Sequence, residues 1–209
     1  MKTNPITVIR STYTSAGGVE RVTVSLVRGL IRKGLRVTLL SMPNQKWPLH
    51  DPRLNIVPVG IARGHRLLQA WSFNRGVQRF LAHHRTPCVL SLDKVVGFTH
   101  LHAGGGTHKS FLQIRRRNDK GIGRLLRRIS PFHRYILHLE KKGFESPYLQ
   151  KVRCNSNLVL KDIRRDYAVP LEKLIVVPSG IRWKDMGDVF DTRAAVADTL
   201  RRRHRLRPD

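Results

Sequence analysis

The feature that most constrains the fold is an alternation of short apolar runs with longer amphipathic stretches. Residues 6–10 form a β-branched run, and residues 35–41 ("LRVTLLS") form a second one. Between them, apolar residues recur at helical spacing over residues 19–31, and Gly34 stands where a glycine commonly ends a helix. Such a strand–helix–strand unit is the building block of parallel α/β sheets.

The alternation continues along most of the chain. Further strand-like runs lie around Ile56 and at residues 87–93, 99–103, 151–156 and 172–180, and helical stretches lie at residues 67–82, 109–142, 157–167 and 193–209. Ser130 and Pro131 interrupt the long helical stretch in the form of an N-cap followed by proline. We therefore predict an α/β fold, with a Rossmann-like parallel sheet that has helices on both faces.

The charge of the chain is extreme and predicts a polyanionic partner. Its 40 Lys and Arg outnumber 14 Asp and Glu, which gives a formal net charge of +26. Nucleic acid, anionic lipid and phosphorylated glycan all meet this requirement. Nucleic acid is disfavoured because only 7% of residues are aromatic and they do not alternate with the arginines as a stacking surface would require.

Cysteine usage and hydropathy predict a cytoplasmic location. Cys88 and Cys154 each lie in an apolar run and are interpreted as core residues in a reducing compartment. The apolar stretch at the N-terminus is too short for a signal peptide, and no run approaches the ~20 residues that span a bilayer.

Residues 109–142 form a basic amphipathic region with eleven Lys or Arg against two acidic residues, Asp119 and Glu140. One interpretation is a solvated charged face over a packed apolar stripe. The other is attachment to an anionic membrane surface. On the second interpretation the membrane-binding or anion-binding residues are Arg115, Arg116, Arg117, Arg124, Arg127 and Arg128.

Two glycines, Gly17 and Gly18, separate the first strand from the first helix. They could allow phosphate to reach the backbone at the helix N-terminus, or they could simply form a turn that needs positive φ. The G-x-G-x-x-G fingerprint of dinucleotide-binding proteins is absent.

The segment "THLHAGGGTHKSF" is the richest in chemistry. His100 and His102 share one face of a strand, and the glycines at residues 104–106 are followed by His108 and Lys109. We predict no metal site, because no cysteine or carboxylate lies close by in sequence. The remaining interpretations are a buried, hydrogen-bonded histidine beside a flexible loop, or a site for sugar hydroxyls and phosphates.

Three segments together resemble the N-terminal domain of family 4 retaining glycosyltransferases of the GT-B fold. They are "SAGGVERV", "HAGGGTHKSFL" and "NSNLVLKDIRRDYAVPLEKLIVVPSGI", and the last is the most specific. The pattern is most similar to the lipopolysaccharide core glucosyltransferases that act on heptose. The resemblance covers most of residues 6–182. It implies a GT-B N-terminal domain at residues 1–182 and a basic tail or interdomain linker at residues 183–209.

The resemblance also implies site roles. Gly17 and Gly18 would lie against the diphosphate of a nucleotide sugar such as UDP-glucose, a substrate rather than a cofactor. The catalytic candidates are His102 and His108, beside a loop that contacts the sugar or the acceptor: Gly104, Gly105, Gly106 and Lys109. The basic helices would face the cytoplasmic membrane and an anionic glycolipid, such as a lipopolysaccharide core.

The family's second Rossmann-like domain, with its E-x7-E glutamate pair, is not present before the sequence ends at Asp209. The resemblance therefore implies the acceptor-side half of an enzyme, inactive by itself, with the donor domain lost or supplied by a separate chain. The alternative is a non-catalytic basic module that binds anionic glycolipid, membrane or nucleic acid.

Overall fold

The computed structural model of the chain describes residues 5–118, 130–180 and 187–205. The chain divides into two compact units, Met1–Pro178 and Ser179–Asp209. The division at residue 182 that the family resemblance implies stays a prediction. Within the described residues, no helix has both the length and the apolar character needed to cross a bilayer.

The first unit is built on a seven-stranded sheet in the order β3-β2-β1-β4-β5-β6-β7, with every neighbouring pair parallel. The predicted parallel α/β sheet is thereby confirmed. The strands are β1 (Ile6–Ile9), β2 (Val37–Ser41), β3 (Leu54–Pro58), β4 (Cys88–Ser91), β5 (His100–Ala103), β6 (Lys151–Cys154) and β7 (Leu174–Val176).

Helices pack on both faces of this sheet. Consecutive residues of a strand point to opposite faces, so Val8 and Ile9 of β1 belong to two separate apolar cores. Val27 of the first helix belongs to the same core as Val8, and Phe73 of the second helix belongs to the same core as Ile9. The helices are α1 (Gly18–Arg32), α2 (Arg66–His83), α3 (His108–Asn118), α4 (Pro131–Phe144) and α5 (Asn157–Asp166), with α6 (Gly187–Asp191) and α7 (Arg193–His204) in the second unit.

The helix boundaries follow the local signals in the sequence. Gly34 has a φ of 81° just after α1, where a residue with a side chain would be strained. Ser130 is the N-cap of α4 and Pro131 is its first residue, as predicted. Cys154 is fully buried, whereas Cys88 is only partly buried; both are free thiols.

The strand order locates the place where a ligand can enter. The chain passes from β1 to β2 on one side and later returns to β4 on the other side of β1. At such a reversal the loops after the two strands diverge and leave a crevice at the carboxyl edge of the sheet. The loop with Gly17 follows β1, and the loop with Asp93 follows β4.

Candidate functional site

A cavity of about 150 Å³ opens at this carboxyl edge. Its apolar part includes Phe98, Leu101 and Phe144, and its polar groups come from four residues: Asp93, Lys94, His102 and Glu140. The glycine loop, residues 104–106, and Val19 at the start of α1 complete the lining on two sides. Small-ligand sites have this composition, an apolar wall with a few convergent polar groups.

The glycine pair before α1 is not a turn that needs positive φ. Gly17 has φ −75° and ψ 133°, and Gly18 is the first residue of the helix. A Cβ at Gly17 would lie 1.8 Å from Oε2 of Glu20, whereas a Cβ at Gly18 would meet nothing within 4 Å. The backbone of Gly18 is therefore open to a ligand, at the end of α1 where the N–H groups have no partner in a preceding turn.

An ion-pair network lies beside this helix end. The Arg10 guanidinium donates to Glu20 Oε1 at 2.8 Å and to Asp93 Oδ1 at 2.5 Å, so it joins the loops after β1 and β4. Burial acts to raise the pKa of Glu20, but hydrogen bonds from Arg10 and from its own backbone N–H outweigh burial and lower it. A carboxylate of the chain thus lies at the α1 N-terminus, and a phosphate would have to bind beside it or displace it.

His102 is buried, with 7% of its surface exposed. Burial and the nearby Arg153 charge lower its pKa to about 4. Arg153 donates to Nδ1 at 3.1 Å, and because a guanidinium can only donate, the ring proton resides on Nε2. Nε2 lies 2.8 Å from where a Cβ of Gly104 would stand. His102 can therefore donate a hydrogen bond to a ligand oxygen beside the glycine loop.

The glycine loop needs its glycines for two different reasons. Gly106 has a φ of 74°, which strains any residue with a side chain, and a side chain at Gly104 would collide with His102. Asn155, which follows β6, donates to the Gly104 carbonyl at 2.5 Å and holds the loop. Gly105 has open space around its Cα, so the middle of the loop exposes bare backbone.

His108 and Lys109 do not line the cavity. The His108 backbone N–H donates to both carboxylate oxygens of Glu140, at 2.6 and 2.8 Å, and its Nε2 lies 3.0 Å from Nδ1 of His133. Burial and the charge of Lys94 lower the pKa of His108 to about 4. The Lys109 ammonium lies 3.7 Å from Asp166. The structure thus brings His102 and the glycine loop together at the cavity, whereas the side chains of His108 and Lys109 contact His133 and Asp166 instead. The roles assigned to His102, the glycine loop, His108 and Lys109 stay predictions.

Sequence reasoning missed the Glu140–Lys94 pair. The Glu140 side chain is only 2% exposed and accepts from Lys94 Nζ at 2.7 Å and from the Tyr167 hydroxyl at 2.5 Å. Burial lowers the pKa of Lys94, although Glu140 and Asp93 act in the opposite direction. One signal was available, since Asp93 and Lys94 lie two and three residues after the end of β4, at the ligand-binding edge.

The predicted membrane-binding arginines lie only partly within the described residues. Arg115 is exposed on α3, with its guanidinium 5.4 Å from the centre of the Phe111 ring. Phe111 and Ile114 are 43% and 60% exposed on the same helix. Three of the arginines and the side chains of two more lie outside what the structure describes, namely Arg124, Arg127, Arg128 and, for side chains alone, Arg116 and Arg117.

In residues 5–118, 130–180 and 187–205, no group of three or more His, Cys, Asp or Glu is arranged to hold a metal ion. That the function needs no metal and no cofactor stays a prediction from the sequence.

Comparisons with known proteins give a family and a fold. The sequence model of Glycosyltransferase Family 4 matches residues 16–182. No curated protein sequence matches the chain significantly. Among solved structures, WaaG, a glycosyltransferase involved in lipopolysaccharide biosynthesis, superposes with a TM-score of 0.72 at 17% identity, over 84% of this chain and 45% of WaaG. The lipopolysaccharide outer core galactosyltransferase WaaB, in its apo form, gives 0.53 at 10% identity, over 85% of this chain and 46% of WaaB. The chain thus spans about half the length of these structures, and the likeness at such identities is one of fold.

Proposed function

The chain belongs to Glycosyltransferase Family 4, and we propose that it is the acceptor-side half of a retaining, nucleotide-sugar-dependent glycosyltransferase. Its donor would be a nucleoside diphosphate sugar, for which UDP-glucose is the representative probe. Its acceptor would be a lipopolysaccharide-type glycolipid or a related anionic glycan at the cytoplasmic membrane face. No metal or cofactor is required in this proposal.

The observation that carries the proposal is the open backbone of Gly18 at the N-terminus of α1. It lies at the reversal point of strand order, and a Cβ added there would meet no atom within 4 Å. Backbone N–H groups and the positive end of a helix favour a phosphate group at such a position. Val19, the next residue, lines the cavity that contains His102 and the glycine loop.

Within this proposal, each side chain of the cavity has a simple task. His102 donates from Nε2 to an oxygen of the sugar, and its low pKa keeps it neutral, so it adds no charge to the site. The bare backbone at Gly105 lets the sugar approach closely. Stabilisation of the leaving diphosphate would come mainly from a donor domain, so this chain alone should show no sugar transfer.

The acceptor part of the proposal is supported by charge and by α3. A phosphorylated glycolipid and an anionic leaflet both complement a chain of net charge +26. Phe111 and Ile114 expose apolar surface beside Arg115, a combination suited to the headgroup region of a membrane. WaaG is a glycosyltransferase involved in lipopolysaccharide biosynthesis, and WaaB is a lipopolysaccharide outer core galactosyltransferase.

The test is the binding of UDP and UDP-glucose to the full chain, measured by saturation-transfer NMR, which detects weak binding. Gly18→Val should abolish binding, because the side chain would fill the space next to the helix N-terminus. Gly29→Val is the matched control: Gly29 lies on the same helix and a Cβ there also meets nothing within 4 Å. Glu20→Gln should strengthen binding, since it removes a negative charge beside the phosphate site.

Equal binding by wild type and Gly18→Val would remove the phosphate role from the glycine pair. Measurable glucose transfer by the pure chain would contradict the proposal that a donor domain is required.

A further inference from the structure

A second cleft, on the surface between α2 and α4, shares no lining residue with the cavity at the sheet edge. It encloses about 310 Å³, within the range typical of small-ligand sites. Its lining residues are Trp71, Asn74, Arg75, Gln78, Arg79 and Tyr135. Five of the six come from one face of α2, and Tyr135 comes from α4.

The cleft is strongly cationic. Arg75 and Arg79 are one helical turn apart, a spacing at which two like charges destabilise an isolated helix by a few tenths of a kcal/mol. The eighteen residues of α2 include no Asp or Glu. Within the part of the chain that the structure describes, neither arginine forms an ion pair. Two guanidinium groups thus line a concave surface with no carboxylate of the described residues to neutralise them.

An exposed aromatic ring lies beside these charges. Trp71 is 46% exposed, and the Arg75 guanidinium is 5.5 Å from the centre of its ring. A flat ring held at the edge of a concave polar surface offers an apolar face to the C–H side of a sugar ring. It does so at low entropic cost, since the tryptophan side chain has few rotatable bonds.

The floor of the cleft presents neutral hydrogen-bonding groups in fixed positions. Asn74 is 5% exposed; its Oδ1 accepts from the Val96 N–H at 3.0 Å and its Nδ2 donates to the Tyr135 hydroxyl oxygen at 3.3 Å. Tyr135 therefore keeps its own proton free to donate into the cleft. The side-chain Nε2 of Gln78 donates to the main-chain carbonyl of Asn74 at 3.4 Å, which leaves the side-chain oxygen of Gln78 as an acceptor.

We propose that the α2–α4 cleft binds a saccharide that carries a phosphate or carboxylate group. The sugar ring stacks on Trp71, the anionic group binds Arg75 and Arg79, and the sugar hydroxyls bond to Tyr135 and Gln78. Guanidinium groups favour phosphate and carboxylate because they can donate two parallel hydrogen bonds to them. This inference does not rest on the transferase function, since it involves none of the groups assigned to the donor.

The experiment is a titration of the full, ¹⁵N-labelled chain with glucose 6-phosphate, glucuronate, glucose and inorganic phosphate, followed at the Trp71 indole N–H by NMR. Both anionic sugars should shift this signal and bind about tenfold more tightly than glucose, the difference expected from a charge-assisted hydrogen-bond pair. Inorganic phosphate should bind more weakly than glucose 6-phosphate, because it cannot stack.

Two variants separate the contributions. The double variant Arg75→Gln/Arg79→Gln should reduce glucose 6-phosphate affinity to that of glucose. Trp71→Leu lacks the indole reporter and is followed instead at the backbone N–H of Arg75, which also lines the cleft; it should reduce the affinity to that of phosphate. The matched control is Arg28→Gln/Arg32→Gln, a second arginine pair one turn apart, on exposed positions of α1, which should leave affinity unchanged.

Three results would overturn the proposal: no shift with either anionic sugar at millimolar concentration, equal affinity for phosphate and glucose 6-phosphate, or equal losses from the α2 and α1 double variants. UDP binding at Gly18 is read from separate signals, so either proposal can fail without the other.

Discussion

Replacement of Glu140 by glutamine should destabilise the protein substantially, because this buried carboxylate holds several donors from distant parts of the chain. Its oxygens accept from Lys94 Nζ at 2.7 Å, from the His108 backbone N–H at 2.6 and 2.8 Å, and from the Tyr167 hydroxyl at 2.5 Å. Burial and the negative charge of Glu140 also hold the pKa of Tyr167 above its usual value, so this hydroxyl stays a donor. A glutamine side chain keeps the shape but turns one oxygen into an NH₂ group, which cannot accept.

Removing one partner of a buried ion pair costs about 3–5 kcal/mol. The Lys94 side chain is 35% exposed, so water can partly solvate its ammonium when the carboxylate is gone, and we expect the lower end, about 3 kcal/mol. In a chain of this size such a loss corresponds to a fall in Tm of roughly 6–12 °C. The free energy of unfolding would be measured by urea titration with circular dichroism.

Glu145→Gln is the matched control, because Glu145 directly follows α4 and its pair with Lys141 is 3.9 Å long and largely exposed. It should cost less than about 0.5 kcal/mol. Adding Lys94→Met to Glu140→Gln should recover part of the loss by removing the unpaired charge. A cost below about 1 kcal/mol for Glu140→Gln would refute the substantial stabilising role assigned here to this buried carboxylate.

The remaining predictions concern pH, a glycine and the basic helices. The folded-state pKa of His102, about 4, lies below its unfolded value of 6.5, so the unfolded state binds the proton first and stability should fall as pH drops from about 6.5 to 4. His102→Gln should flatten this dependence by roughly 1.4 kcal/mol per pH unit in urea titrations, and an unchanged slope would contradict the assigned pKa. Gly60→Ala should cost about 2 kcal/mol, because Gly60 has a φ of 80° and a Cβ there would lie 2.8 Å from the Phe73 backbone. Gly29→Ala is the contrasting substitution and should stabilise α1 by about 0.5–1 kcal/mol. Replacement of six arginines by glutamine should abolish binding to anionic vesicles at low salt and leave the circular dichroism spectrum unchanged. Co-sedimentation of this variant with vesicles to the same extent as the wild type would contradict the membrane proposal. These six are Arg115, Arg116, Arg117, Arg124, Arg127 and Arg128.

The elements of the fold could be predicted from sequence because their signals are local. A strand repeats its buried face every two residues and a helix about every 3.6, so apolar spacing alone indicates each element. The end of α1 follows from Gly34, whose positive φ favours glycine, and the start of α4 follows from the Ser130–Pro131 pair at its N-cap and first position. The order of strands and helices then predicts a parallel sheet and the edge at which a ligand binds.

The surroundings of the site were decided only by the tertiary structure. Lys94 and Glu140 are 46 positions apart, and His102 and Arg153 are 51 apart. A side chain's partner across such a distance depends on how helices and loops pack at the sheet edge, which residue spacing does not encode. From sequence, His102 and His108 were therefore equally good catalytic candidates. In the structure His102 lines the cavity, whereas the His108 ring contacts His133. The sequence by itself determined which residues can do chemistry near that edge; the tertiary structure decided which of them face the cavity, because contacts between distant elements fix side-chain direction and charge state together.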